Sequence, residues 1–328
     1  MSAMTLQADP IHQQVKTLNS EPANTQHSPI LKKFASLSLI GALITGALLW
    51  VDPRTLSGEP VWLKPLKFFI SMSVFTFTLD WGLSHAQERI TRLNLYRKGV
   101  VLGLSYEILL ICIQAARGVK SHFNYASPID IAIFLSMGVV IAIVVVTSVV
   151  AALLATSGRT HLQASEKIAF RWGMILFGAA GFLGYLMPQP SATQMNAMVR
   201  GERLTIIGSH FVGSEEGLTR LAPLTGWSLE AGDLRVAHFF GMHAVQLLLF
   251  WVLVMKVFKV NLDSKPAENL VKSVAILLGG VTLSLLVEAY LEQSTFNPRP
   301  EFWIFRGIVL LAILVQAVRV KKLGESQR

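Results

Sequence analysis

Three short strings hold most of the residues that could do chemistry: ARGVKSHFN at 116–124, GSHFVG at 208–213 and GDLRVAHFFGMHAVQ at 232–246. They contain four of the chain's eight histidines, His122, His210, His238 and His243, beside Arg117, Lys120, Asn124, Asp233, Arg235 and Gln246. Imidazoles set among guanidinium and carboxylate groups suit proton transfer near neutral pH and the holding of an anionic group. Glu288 and Arg306 add a further acid and base, and Glu107 with Gln114 precedes the first string.

Spacing argues against a ready-made metal site. His238 and His243 are five residues apart, so on a helix they diverge by about 140°, whereas helical metal pairs stand at i and i+4. A metal would need His122 or His210 as well, and no metal ligand set is assigned. Haem held inside the bilayer would need a second span with a histidine at mid-depth, and none is found. The chain has no GxSxG, HExxH, CxxC or phosphate-loop pattern. No cofactor is legible.

The segments that must position these groups are strongly apolar. Of 328 residues 52% are hydrophobic and 15% charged, with mean hydropathy +0.51; a soluble domain carries about a quarter charged residues. Phe34–Val51, Ile131–Gly158, Trp172–Val199 and Val236–Met255 lack Asp, Glu, Lys and Arg altogether. Each is long enough to cross a bilayer as helix. The alternating segments of a membrane barrel are absent.

The pattern therefore predicts an all-α integral membrane protein, a bundle of eight transmembrane helices at about 32–51, 62–84, 99–118, 131–156, 168–188, 236–258, 271–291 and 302–319. Residues 1–31 read as a disordered cytosolic tail, 32–319 as the membrane domain with a long outer loop at 189–235, and 320–328 as a basic cytosolic tail. With both termini cytoplasmic, 18 of the 29 Lys and Arg fall on the inner side, as the positive-inside rule requires. The net charge of +9 is thus a topology signal, and a nucleic-acid partner is excluded. The partners read from the pattern are the lipid bilayer and a small molecule or lipid; the oligomeric state is not written in it.

Helical phase groups the polar residues. Glu107, Gln114, Arg117 and Ser121 share an arc of about 80° on the third helix, and Arg235, His238, Met242, His243 and Gln246 one of about 140° on the sixth. An ionisable side chain in hydrocarbon is tolerated when paired or hydrated. An outward-facing pocket between the third, sixth, seventh and eighth helices is expected. Arg117, His122, Asn124, His210, Arg235, Gln246 and Arg306 would bind a polar or anionic small molecule or a lipid headgroup. His238 or His243 would give or take a proton, with Glu288 or Asp233 orienting it, and Glu107 with Gln114 would form an inner proton relay. A membrane enzyme is preferred to the alternatives, a proton-coupled transporter and a haem- or metal-binding redox protein.

Plainer roles compete for the same residues. Arg117 and Lys120 suit lipid phosphates. Glu288 and Arg306 suit a structural ion pair. Asp233 and Ser127 precede apolar runs as helix caps. Trp62, Trp227 and Trp303 fit an interfacial belt, and the glycines of FGAAGFLG (177–184) and LLGG (277–280) suit close helix packing.

ARGVKSHFN and GDLRVAHFFGMHAVQ, with GSHFVG and GWS (226–228) between them, resemble the ARGxxSHFN and GDLRxxHFxGxHAxQ pattern of a family of uncharacterised bacterial multi-pass inner-membrane proteins. The resemblance covers most of the chain after residue 60 and implies a bacterial inner membrane. It implies no activity.

Overall fold

A computed structural model describes residues 27–86, 90–214 and 220–327, the side chains of 90–92 excepted. Most of the predicted tail at 1–31 lies outside these residues, but its end is already helix. The long helices are α1 (Pro29–Val51), α2 (Leu63–Ser84), α3 (Ile90–Arg117), α4 (Pro128–Ser157) and α5 (Ala164–Leu183). A 3-10 turn (Gly184–Leu186) and the short α6 (Ala192–Val199) follow. Then come α7 (Leu234–Met242), α8 (Ala244–Val257), α9 (Lys265–Tyr290) and α10 (Pro300–Ser326). Two small antiparallel ribbons complete the chain: β1 (Thr55–Leu56) with β2 (Glu59–Pro60), and β3 (Phe211–Val212) with β4 (Gly232–Asp233).

Six of these helices are long and apolar enough to cross a membrane, and α7 with α8 makes a seventh candidate bent by 46°. With 71% of the described residues helical and almost no sheet among them, the chain is a multi-pass membrane protein. The second predicted span is helical as α2 but is not among those that qualify; Lys64, Lys67, Asp80 and five Ser and Thr residues dilute its apolar content. Large apolar side chains such as Leu43, Leu102, Val139, Ile276 and Leu311 stand exposed along the helices, the outward apolar surface that lipid covers.

Several predicted boundaries shift, the seventh helix starting at Lys265 instead of about 271 and the fifth ending at Leu183 instead of about 188 among them. The third helix starts at Ile90, about nine residues early, because Arg97 and Lys98, read as link residues, lie within it. Arg97 is buried and donates to Asn94 at 3.0 Å. The last helix runs on to Ser326, so the predicted tail at 320–328 is helical for most of its length, with Lys321 and Glu325 one turn apart at 4.0 Å.

Helix starts follow local chemistry. Pro29, Pro128 and Pro300 each open a helix, where a missing N–H costs nothing. Ser127 caps α4 by accepting from Asp130 N, and Asp233 caps α7 by accepting from Arg235 N, as their positions predict.

The links sort to two ends. At one, Arg54 reaches Ala116 O, Asn124 pairs with Ile206, and Ser294 bonds Ser228 O. At the other, Ala86 pairs with Thr160, Ser165 N donates to Leu262 O, and Asp80 accepts from Ser28 N. The long helical segments thus alternate in direction between a hairpin end and an opposite end. Small residues let them approach: Gly178 and Gly181 of α5 lie against Val149 and Val145 of α4, and Gly241 of α7 against Ala180. Phe75 and Phe177 stack at 4.7 Å in the core between α2 and α5.

Candidate functional site

The hairpin end holds a cavity of about 90 Å³, and local backbone rules explain its walls. Ser57 and Gly58, with φ of 53° and 84°, make the two-residue turn of the β1–β2 hairpin, the geometry that matches strand twist. Arg54 and Trp62 both bond the Asp52 carboxylate, at 2.7 Å for Arg54 Nη2 and 2.7 Å for Trp62 Nε1. Arg54, then Trp62, hold that carboxyl below the usual range, which fixes the hairpin against the start of α2. Gly118, at φ 70°, ends α3: its N–H returns to Ala115 O and that of Val119 to Gln114 O, a closed helix terminus of the Schellman kind. The chain then turns inward, and Phe123 takes φ 61°, an outlying value for an aromatic residue. Such strain persists where surroundings enforce it. Phe123 is buried between Phe134 at 5.7 Å and His210 at 4.9 Å.

Lys64, Lys120, His122, His210, Ser57 and Glu59 supply the polar lining, and Val61, Pro65, Ile111 and Ala115 an apolar wall. Lys64 Nζ lies 3.2 Å from His122 Nδ1, and Ser121 Oγ 3.1 Å from the same nitrogen. Burial holds the His122 imidazole well below its ordinary titration range, and Lys64, His210 and His238 push in the same direction. It is therefore neutral near pH 7, a state in which one ring nitrogen accepts and the other donates. Glu59 turns away to Lys67, at 3.1 Å.

The predicted residues divide into groups that do not merge. His122 and His210 line the cavity. Asn124 stands beside it, donating to Lys120 O at 3.1 Å. Arg117 joins Asp130 at 2.7 Å and also donates to Gln114, which itself bonds Asp130 at 2.9 Å. Gln114 is thus committed to Asp130, and no hydrogen bond joins it to Glu107 among the described residues. Glu107 is 2% exposed, its Oε1 has no hydrogen-bond partner, and the field of Lys64 reaches it. It lies ten residues before the end of α3, about 15 Å along the axis, on the stripe that continues into Ile111 and Ala115.

Arg235 pairs with Asp233 through Nε at 2.9 Å and Nη2 at 2.6 Å. Arg306 pairs with Glu288 and donates to Thr295 O at 2.7 Å. The basic and acidic groups are neutralised in three separate pairs: Arg306 meets Glu288 across the seventh and eighth predicted helices, whereas Arg117 and Arg235 pair with Asp130 and Asp233 close to them in sequence. Neither Asp233 nor Glu288 shares a hydrogen bond with a histidine among the described contacts. His238 bonds Ala180 O at 2.7 Å, and His243 sits at the bend between α7 and α8 with its ring 4.3 Å from Phe239. That bend ends the continuous phase assumed for the sixth helix; Gln246, beyond it, reaches Thr78 at 3.5 Å. Ser121 lies past the end of α3 and shares no helical phase with it.

The lining residues that pattern reading left out of the site are Lys64, Ser57 and Glu59; Lys120 and Ser121 stand among the grouped polar residues but carry no assigned binding role. The Ser-Gly pair before Glu59 and Pro60 is the signal that marks the hairpin, and the hairpin brings Lys64 to His122. Among the described residues no three His, Cys, Asp or Glu side chains converge as a metal site. Comparison with family models, curated proteins and solved structures finds no match to this chain.

Proposed function

We propose that the chain is a bacterial inner-membrane protein that crosses the bilayer eight times, with both termini cytoplasmic and the hairpin end facing the periplasm. The alternation of links between two ends supports eight crossings, and the excess of Lys and Arg at the opposite end supports the orientation. The resemblance of ARGVKSHFN and GDLRVAHFFGMHAVQ to the bacterial family pattern supports the membrane assigned. At the hairpin end the cavity binds an anionic small molecule or headgroup, and His122 gives or takes a proton there as part of a membrane enzyme. The observation that carries this reading is the convergence of Lys64, Lys120, His122 and His210 on one cavity.

Native mass spectrometry of the purified protein tests it. An anionic adduct is expected, with occupancy reduced at least about fivefold in Lys120→Gln, the loss of roughly one charge-assisted contact. Protein that carries no adduct and takes up no anion from solution would exclude the reading. A second reading, a proton-coupled transporter, draws on two observations: the helix broken at Met242–His243 and the buried Glu107 carboxylate. Glu107→Gln separates the two. The enzyme reading expects anion occupancy and turnover to persist, while loss of proton-driven uptake with occupancy intact would decide for transport.

A further inference from the structure

Between α5 and α7 the chain forms one short helix, α6, whose exposed surface is divided in two. Ala197 is buried and Gln194 half-buried, and they mark the side turned to the protein. At 100° per residue, the exposed Ala192, Met195, Met198 and Val199 occupy an arc of about 120° on one flank. The exposed Thr193, Asn196 and Arg200 occupy an arc of about 60° on the other. A helix surrounded by water has no reason to gather its exposed apolar residues on one flank. One surrounded by hydrocarbon does not expose a guanidinium, an amide and a hydroxyl to it. The division is that of a helix lying along the boundary, with lipid on one side and water on the other.

The bonds of α6 place it at that boundary. Gln194 Oε1 accepts from Gly208 N at 2.9 Å, and the Gln194 amide donates to Gly208 O at 3.2 Å. Ser209 N, one residue on, donates to Met187 O at 2.9 Å. Gly208, at φ 97°, leaves no gap there: an added Cβ would stand 2.6 Å from Met187 O. The helix is therefore tied to the chain two residues after Tyr185. Phe182 and Tyr185, exposed with rings 6.0 Å apart, end the lipid-facing side of α5, and the Tyr185 hydroxyl donates to Gly138 O of α4. Aromatic side chains gather where hydrocarbon gives way to headgroups. The apolar flank of α6 thus stands beside a surface that lipid covers.

We propose that α6 is an interfacial helix lying along the bilayer surface at the hairpin end. Met195, Met198 and Val199 are set among the acyl chains just below the headgroups, and Thr193, Asn196 and Arg200 face the headgroup water. The leaflet is then a partner of the cavity as well as its surroundings. Gln194 and Gly208 join the lipid-seated helix to the segment that brings His210 to the cavity wall. The seat is independent of which side of the membrane the hairpin end faces and of what the cavity binds.

Spin labelling of the full-length protein in nanodiscs of phosphatidylethanolamine and phosphatidylglycerol tests the proposal. In a Cys112→Ser background, Thr193→Cys, Met195→Cys, Asn196→Cys and Met198→Cys each carry one nitroxide. Collisions with oxygen, which concentrates in hydrocarbon, are compared with collisions with a neutral nickel chelate, which stays in water. Oxygen is expected to dominate at 195 and 198, with loss of nickel access, and nickel to dominate at 193 and 196. Met195→Cys and Met198→Cys test the apolar flank separately, so one suffices if the other does not fold. Nickel reaching 195 and 198 as freely as 196 puts the helix in water and overturns the proposal. Exclusion of both reagents from 195 and 198 also overturns it, because a second copy or another protein then covers that flank. Oxygen dominating at all four positions overturns it too, by placing the whole helix in hydrocarbon.

Discussion

Asp233→Ala is expected to cost the folded protein about 3–5 kcal/mol, the range for removing one partner of a buried ion pair. Asp233 is 3% exposed and accepts four hydrogen bonds: Ser228 N at 3.0 Å, Arg235 N at 3.0 Å, and the Arg235 guanidinium through Nε and Nη2. It caps α7 and ties that helix to the loop that reaches Ser294. Alanine removes the cap and the loop anchor and leaves the guanidinium, half-buried beside Phe211 at 5.0 Å, without its carboxylate. Asp233→Asn keeps an acceptor for Ser228 N and should lose less. Asp233→Leu with Arg235→Met should recover much of the loss, because the penalty comes from the stranded charge. Unfolding by SDS in mixed micelles measures all three; an Asp233→Ala variant within about 0.5 kcal/mol of the parent, the usual range for inert surface changes, would refute the pair.

Gly173→Val is expected to cost about 2–3 kcal/mol or more by overpacking. Gly173 of α5 faces Val245 of α8 so closely that an added Cβ overlaps the Val245 backbone and lies 2.8 Å from its Cβ. Backbone cannot swing aside as a side-chain tip can, so the two helices must separate and lose the close contact that holds them in lipid. Gly307→Val, on α10 with nothing within 4 Å of the added Cβ, is the control, and it should leave the same SDS midpoint nearly unchanged. Equal effects at the two positions would show that helix propensity, rather than approach, sets the cost.

Features governed by neighbours in sequence are legible in the sequence itself. Ser127-Pro128 and Asp233 were readable as helix starts because a cap depends on a hydroxyl or carboxylate one turn from a free amide. Four long uncharged runs mark membrane-spanning segments because lipid demands them. Arg97 and Lys98 misplaced the start of α3, since a basic residue near a helix end fits helix or link equally well on charge alone. The site was less legible. Pairing depends on side-chain direction, and Arg235 folds back on Asp233 two residues away instead of reaching another helix. His122 and His210 were identifiable as polar residues where apolar chain ends. Their joining with Lys64 required the Ser57-Gly58 turn and the left-handed Phe123, neither of which hydropathy records.

Side-specific labelling tests the central claim, that the cavity opens away from the cytoplasm. Cys112 is the chain's one cysteine, so Cys112→Ser gives a clean background. In it, Ser57→Cys places a thiol on the cavity wall and Ser157→Cys places one at the opposite end, where α4 stops. A membrane-impermeant maleimide added to intact spheroplasts should modify position 57 at once and position 157 only after the membrane is permeabilised. Labelling of 157 with protection of 57 would invert the protein in the bilayer and contradict the account.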